Sequence, residues 1–144
     1  MNCKLHSFLL VVLLAMISCQ DQVGQLSGTY SYKISGVAMV DSVTRVLSDE
    51  TGAMDLIRIN ADSALVTFNA LRGPAYSTQA VLSGKQIRLL PYQRTISVGV
   101  TNYTLTASAE GTAYDNTLLM QLKYCNADST FVADSLTLIC KKNR

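Results

Sequence analysis

The sequence predicts an all-β protein, a small antiparallel up-and-down barrel of about eight strands, with a two-sheet β-sandwich as the alternative architecture. Alternation of apolar and polar residues with period two recurs along the chain, whereas helical periodicity is almost absent. Short apolar runs are separated by turn residues at close spacing, which is typical of barrels and sandwiches. A meander of hairpins favours the barrel, because closure removes the edges that apolar strands otherwise expose.

The first element, residues 1–18, has the layout of a secretory signal peptide. It reads MNCKLHSFLLVVLLAMIS, with Lys4 in a short leading region, ten apolar residues from Phe8 to Ile17, and the small Ser18. Ten apolar residues are too few to cross a hydrocarbon core about 30 Å thick as a helix. We therefore expect this segment to be removed from the mature protein.

Cys19 follows the apolar run in the sequence Met16-Ile17-Ser18-Cys19, which resembles a bacterial lipobox. That resemblance implies acylation of Cys19 and a membrane anchor, since each buried CH₂ of an acyl chain contributes about 0.8 kcal/mol. The alternative is an ordinary cleaved signal that leaves Cys19 free or disulfide-bonded. Residue 20 is Gln rather than Asp, which favours the outer membrane. Residues 19–25 then form a lipidated tether, and residues 26–144 form one barrel domain.

The barrel domain contains nine segments with strand character. The longest gap between them, Ser42 to Gly52, is polar and acidic, and we expect a flexible loop or a short helix there. Gly84-Lys85 separates two apolar runs and predicts a two-residue hairpin turn. The predicted strands are Leu26–Ser35, Val37–Asp41, Met54–Ile59, Ala64–Phe68, Tyr76–Leu82, Gln86–Leu90, Val100–Ala109, Leu118–Tyr124 and Ser135–Lys141.

Composition excludes several classes of function. Residues 19–144 contain eleven basic and ten acidic side chains without a basic block, so nothing indicates nucleic-acid binding. The single histidine, His6, lies in the signal, which removes Ser-His-Asp and Cys-His catalysis and the usual histidine-containing metal sites. Asp49-Glu50 is an adjacent acid pair, but on a polar loop we expect both to face water. We predict no enzymatic activity, no metal and no cofactor.

Cys125 and Cys140 are a candidate disulfide pair in an oxidising cell envelope. A wide loop around residues 126–134 would bring the two opposite each other, and the closed loop would contribute about 3 kcal/mol in the chain-entropy model. The alternative is a tight turn at Asn126 to Ser129, which would leave two buried thiols roughly 33 Å apart along neighbouring strands.

Strand and hairpin patterns recur in LSGTYSYKISG after the tether, IRINADSALVTFNAL, the hairpin AVLSGKQIRLLP, and the closing pair EGTAYDNTLLMQLKY and DSLTLICKK. These segments resemble the calycin-like or lipocalin-like barrel domains of Bacteroidetes lipoproteins. Gly28-Thr29-Tyr30 stands where a lipocalin has Gly-x-Trp on its first strand. The resemblance implies the barrel fold and a cell-envelope address, and it implies no particular ligand.

Each Asp-Ser dipeptide is followed by a residue that fits the O-glycosylation sequon of Bacteroidetes. The candidate acceptors are Ser42, Ser63, Ser129 and Ser135. Turn chemistry explains the same pattern, because Asp and Ser both form side-chain-to-backbone turns ahead of a strand.

Two functional hypotheses of different classes follow from the barrel. An eight-stranded barrel is either filled by side chains or holds one small ligand. The first hypothesis is a binder of a small apolar or glycan-like ligand, and the second is a structural or protein-interaction module of the envelope with a solid barrel and an exposed apolar patch. For an open lumen, the residues expected to line it are Tyr30, Phe68, Tyr103, Leu105 and Tyr124.

Overall fold

The computed structural model describes residues 22–144, which form one helix followed by eight strands. The strands close into a barrel in the order β1 to β8, with every neighbouring pair antiparallel and β8 returning to β1. The elements are α1 Gln22–Leu26, β1 Gly28–Val40, β2 Val43–Arg58, β3 Ser63–Ala70, β4 Tyr76–Ser83, β5 Gln86–Val98, β6 Thr101–Tyr114, β7 Thr117–Cys125 and β8 Phe131–Lys142. The predicted antiparallel barrel is therefore confirmed.

Residues 42–52, predicted to be a flexible loop or a short helix, lie mostly within β2, so that prediction was wrong. The polar residues of this segment pair in register with β1, from Ile34 opposite Glu50 to Val40 opposite Val43. The backbone hydrogen bonds of a ladder do not depend on side-chain polarity, and the outward face of a barrel strand accepts polar residues.

Further element boundaries also differ from the sequence-based expectation. The predicted strands on either side of Gly36 form one continuous strand, and Leu26 belongs to the helix that precedes it. Gly36 continues β1 instead of ending it. Its φ of 150° and the close approach of the Leu136 side chain leave no room for a Cβ, so a glycine is needed at this position. The strand predicted to end at Leu90 continues to Val98.

The end of the barrel near the chain termini is closed by α1. Val23 and Leu26 are buried in the core, and the Tyr30 hydroxyl donates to the Leu26 carbonyl at 2.5 Å. Lys142, at the end of β8, donates through Nζ to the Gln25 carbonyl at 2.7 Å. The helix therefore covers this end, and its five residues are held by the first and last strands of the barrel.

The opposite end of the barrel, here called the mouth, carries the turn at Asp41-Ser42, the loop 71–75, the turn at Gly99-Val100 and the loop 126–130. Below it the interior is filled by side chains such as Met54, Leu118 and Leu138, which are almost completely buried. No helix within residues 22–144 has the length and apolar character needed to span a membrane.

Candidate functional site

A cavity of about 1160 Å³ opens at the mouth and extends into the upper part of the barrel. Its wall comes from β2, from the loop 71–75 and from β5, and Tyr124 of β7 contributes to the inner surface. Apolar side chains such as Leu47, Ile96 and Val98 lie alongside charged ones. The barrel is thus solid near α1 and open towards the mouth.

A β-bulge in β5 directs Arg94 into this cavity. Leu89 pairs with Ala109 and Tyr92 with Ala107, so Leu90 and Pro91 together stand opposite one residue of β6. Ile87 and Leu89 face inward before the bulge, and Tyr92 faces inward after it. The extra residue changes the parity of the inward positions, as bulges do. Without it, the odd-numbered positions after Leu89 would continue to face the interior.

A second bulge, in β2, has the same effect on Glu50. Ile34 pairs with Glu50 and Gly36 with Leu47, so residues 48 and 49 stand opposite the single residue Ser35. Asp49 is exposed and pairs with Lys33 at 2.5 Å, whereas Glu50 is half-buried on the inner side. The adjacent acid pair of the sequence is therefore divided between the two faces of the wall.

Glu50 and Arg94 form a two-point ion pair inside the barrel. Arg94 Nη2 lies 2.5 Å from Glu50 Oε2 and Nη1 lies 3.2 Å from Oε1. The Arg94 side chain is 9% exposed and the Glu50 side chain is 22% exposed. Burying two charges is costly unless they are paired and hydrogen-bonded, and the fork-to-carboxylate geometry supplies both conditions.

Tyrosine hydroxyls complete the hydrogen bonding of this pair. Tyr32 and Tyr76 each donate to Glu50 Oε1 at 2.9 Å. Arg94 Nη1 in turn donates to the hydroxyls of Tyr76 and Tyr124, at 2.9 and 2.8 Å. Glu50 therefore accepts from three side chains, and we call these five residues the polar cluster.

The polar cluster rests on a stack of aromatic rings. Phe68 stacks on Tyr76 with centroids 4.9 Å apart, and Tyr76 stacks on Tyr92 at 5.4 Å. The Arg94 guanidinium carbon lies 4.3 Å from the centre of the Tyr76 ring, within the range of a cation–π contact. Because aromatic rings are rigid, these contacts hold the Arg94 guanidinium, and with it the paired Glu50 carboxylate, in position.

Burial controls the ionisation of these groups. It raises the pKa values of Tyr76, Tyr92 and Tyr124, so that their hydroxyls stay protonated as donors. For Arg94, burial alone would lower the pKa, but Tyr124, Glu50 and Tyr76 together raise it. The cluster thus holds a permanent cation beside neutral hydroxyls.

Two groups in this region have no hydrogen-bond partner among the described residues. They are Arg94 Nε and the Tyr92 hydroxyl, both removed from solvent. Tyr124 accepts a hydrogen bond from Arg94, and no acceptor for its own hydroxyl hydrogen occurs within residues 22–144. Arg94 Nε and the Tyr124 hydroxyl are therefore donors of the cluster that remain unpaired, and such groups are costly to leave so.

Of the five residues expected to line a lumen, only Tyr124 borders the cavity. Tyr30 lies at the closed end, where burial raises its pKa to about 12. Phe68 and Leu105 are fully buried in the core. Tyr103 lies over Phe131 at 5.4 Å and donates to Asp41 at 2.7 Å.

The candidate disulfide between Cys125 and Cys140 is not formed, and both thiols are free. Cys140 pairs with Leu118 across the ladder and Cys125 lies seven residues further along the same strand, a separation of roughly 23 Å at strand rise. Cys125 is exposed and Cys140 is buried. The chain turns compactly at residues 126–130, where the Asn126 side chain accepts a hydrogen bond from the Phe131 N–H at 2.8 Å. This turn is too short to bring the two cysteines opposite each other.

The four candidate glycosylation serines lie at the ends of elements or at a bulge. Ser42 and Ser129 occupy turns with positive φ and are exposed, and Ser63 begins β3 and is half-buried. Ser135 is exposed beside Asp134 at a third bulge, where the pairing shifts between Leu122 and Tyr124. Cys19 lies outside the described residues.

Sequence reasoning missed the residues that make the polar cluster, apart from Tyr124. Glu50 fell within a predicted loop, and Arg94 lay beyond the predicted end of its strand. The sequence Leu90-Pro91 did offer a sign of the bulge in β5. A proline within a β segment indicates either an edge strand or a bulge, and a closed barrel has no edge strand, so only the bulge remains.

Residues 22–144 contain no group of three or more side chains suited to hold a metal ion.

Comparison with known proteins identifies the fold and no family. No protein-family model and no curated protein matches the chain. Among solved structures, a redesigned β-barrel aligns with 85% of this chain and 95% of its own, with a TM-score of 0.52 and 9% sequence identity. At that identity the likeness concerns the fold alone. The chain is an eight-stranded antiparallel β-barrel, consistent with the calycin-like architecture.

Proposed function

We propose that this protein is a lipid-anchored envelope protein that binds a small molecule in the mouth of its barrel. The observation that carries the proposal is the cavity of about 1160 Å³ with convergent polar groups at its inner surface. A concave site with apolar walls and a few fixed polar groups is typical of small-molecule binding. The proposed role is binding rather than catalysis, since Glu50 is engaged by Arg94 and two hydroxyls.

The described chain begins with α1 at the closed end of the barrel, and the cavity opens at the opposite end. Cys19 precedes Gln22 by three residues, a span of at most about 10 Å. Acylation of Cys19, with the signal removed and the protein in the outer membrane, would thus tie the closed end to the bilayer. This arrangement favours a ligand that reaches the mouth from the aqueous phase.

Ligand binding is tested with the neutral fluorescent probe N-phenylnaphthylamine. Val98 lines the cavity, whereas Val100 in the adjacent turn is fully exposed. We expect the unmodified protein to bind one probe per chain, V98W to weaken binding about tenfold or more, and V100W to leave it unchanged. Absence of binding, or equal binding by the two variants, would contradict the proposal.

Native mass spectrometry of protein purified from its own cells tests the remaining parts. We expect an acyl mass on Cys19 that is lost in C19A, together with a bound small molecule that V98W reduces. The same spectra report whether Ser42, Ser63, Ser129 or Ser135 carries a glycan. An unmodified Cys19 would contradict the anchor without affecting the binding site.

A second candidate function, a protein-interaction module, is favoured by an apolar area on the outer face of the β1–β2 hairpin. Val37 and Val46 pair across the two strands and are 51% and 81% exposed, and Met39 is 49% exposed two residues away. Exposed apolar groups that are contiguous mark interaction sites. If wild-type protein binds no probe and carries no adduct, this alternative is the better account.

A further inference from the structure

The charges around the cavity do not balance. Three arginines border it, Arg45, Arg72 and Arg94, against two acids, Asp49 and Glu50. Glu50 is neutralised by Arg94, and Asp49 is paired with Lys33. Arg45 and Arg72 are exposed, and no ion pair joins either to another described residue. Among the residues that line the cavity, Arg45 and Arg72 are therefore the charges without an ion-pair partner, whereas the acids Asp41 and Asp128 lie in turns of the mouth outside this lining. A low-dielectric wall strengthens the field of the two arginines inside the cavity.

The inner surface of the cavity has the matching preference. Among the residues that line it, Arg94 Nε and the Tyr124 hydroxyl hydrogen have no acceptor within the described part of the chain. Arg94 is more than nine-tenths buried and borders the cavity itself. Both Glu50 oxygens already accept hydrogen bonds from Arg94. A ligand that offers oxygen acceptors would satisfy groups that the protein leaves unpaired.

Part of the wall between the mouth and the inner surface is apolar. Ile34, Leu47, Ile96 and Val98 border the same cavity, and Leu47, Ile96 and Val98 also pack against the core. A small inorganic anion would leave this surface in contact with water, whereas an organic body would cover it. The site therefore combines cationic, donor-rich and apolar regions.

We propose that the ligand is an amphipathic organic anion, with an acidic, oxygen-bearing group and an apolar body. The acidic group is attracted by Arg45 and Arg72, and the apolar body lies against Ile96 and Val98. This inference rests on the proposed binding function and adds the chemical class of the ligand.

A pair of probes with similar aromatic bodies tests the charge preference. Anilinonaphthalene sulfonate carries an anionic group, and N-phenylnaphthylamine is its neutral counterpart. We expect the sulfonate to bind at least about tenfold more tightly at low salt, and this preference to weaken at high salt. The variants are R45Q/R72Q and, as a matched control, R88Q, because Arg88 is an exposed arginine that borders a separate surface groove on the outer wall of β5.

We expect R45Q/R72Q to lose the preference for the sulfonate while its affinity for the neutral probe stays unchanged, and R88Q to match the unmodified protein. Equal affinity for both probes in the unmodified protein would overturn the inference while leaving the binding function intact, as would a preference that survives R45Q/R72Q. Binding of neither probe would overturn the binding function and this inference with it. Circular dichroism of each variant confirms that the comparison is between folded proteins.

Discussion

At the scale of single residues, the adjacent acids Asp49 and Glu50 lie on opposite faces of β2. Asp49 forms an exposed pair with Lys33, and such surface pairs contribute little to stability. Glu50 lies inside, bonded to Arg94 and to two tyrosine hydroxyls. Strand geometry alone separates them, because successive side chains point to opposite faces.

Arg94 should matter mainly because it neutralises Glu50. We expect R94M to lower the free energy of unfolding by about 3 kcal/mol, since it leaves a largely buried carboxylate without its cation. E50Q/R94M, which keeps an acceptor for Tyr32 and Tyr76, should lie within about 1 kcal/mol of the unmodified protein. Urea unfolding of the single and double variants measures this coupling. Additive losses in the double variant would show that the two side chains act independently.

At the scale of elements, bulges decide which side chains reach the cavity. The bulge at Leu90-Pro91 places one extra residue in β5, and the Leu90 carbonyl accepts from the Thr78 hydroxyl at 2.8 Å. Tyr92 and Arg94 follow it on the inner side. The site is therefore set by the residue count between Leu89 and Arg94 as much as by residue identity.

Two single-residue deletions in β5 should differ sharply. Deleting Pro91 removes the extra residue of the bulge, so that regular alternation still brings Tyr92 and Arg94 inside. Deleting Gln93 moves Arg94 to the outer face and Thr95 to the inner one. We expect ΔPro91 to fold and bind the neutral probe, and ΔGln93 to lose binding and to unfold at a much lower temperature. Similar behaviour of the two variants would contradict this account of the bulge.

The two cysteines of β7 and β8 provide a test of register. Cys125 is exposed, and Cys140 is buried beside Met54, with burial raising its thiol pKa to about 12. The thiolate is the reactive form, so we expect dithionitrobenzoate to modify Cys125 rapidly and Cys140 only after unfolding. The fast reaction should disappear in C125S and persist in C140S. Rapid modification of Cys140 in folded protein would contradict the register.

At the scale of the whole molecule, the barrel is divided into a packed lower part and an open upper part. α1 and the side chains around Met54 fill the closed end, and the polar cluster lies where the packing gives way to the cavity. The closed end supplies apolar burial, and the mouth holds the groups that need hydrogen-bond partners. The packed lower part of the interior thus contributes most to stability, and the open upper part contains the proposed binding site.

Alkaline pH should destabilise the barrel through its buried tyrosines. Burial raises the pKa values of Tyr76, Tyr92 and Tyr124 above their ordinary range. Above about pH 10 the unfolded chain releases protons that the folded chain retains, so the free energy of unfolding falls by up to about 1.4 kcal/mol per pH unit for each such group. Their contribution is complete below that pH and is lost as the pH rises.

Urea unfolding at about pH 8 and about pH 11 measures this loss for the unmodified protein. Tyrosinate absorbance of the buried rings should appear together with unfolding. Because Y92F removes one titrating group, we expect a smaller fall in stability between the two pH values. An unchanged free energy of unfolding at the higher pH would contradict the assigned burial.

Local patterns in the sequence are enough to assign the class of fold, most of the strands and the turns between them. Period-two patterns such as Leu118 to Tyr124 are local, and local spacing is enough to assign a face to each residue. The lipobox-like segment ending at Cys19 is likewise recognised from adjacent residues alone. The lipid anchor that it predicts is tested by the mass spectrometry proposed above.

The position of the site depends on contacts between residues that are distant in the sequence. Glu50 and Arg94 are 44 residues apart, and they meet because β2 and β5 face each other across a closed barrel. The bulges that direct both side chains inward are established by the pairing with β1 and β6. Closure also decided that the segment 42–52 is a strand, because the β1 ladder offers its backbone hydrogen bonds whatever side chains it carries. The local residue pattern predicts which face of a strand a side chain occupies, whereas the register of strand pairing around the barrel decides which side chains become its neighbours.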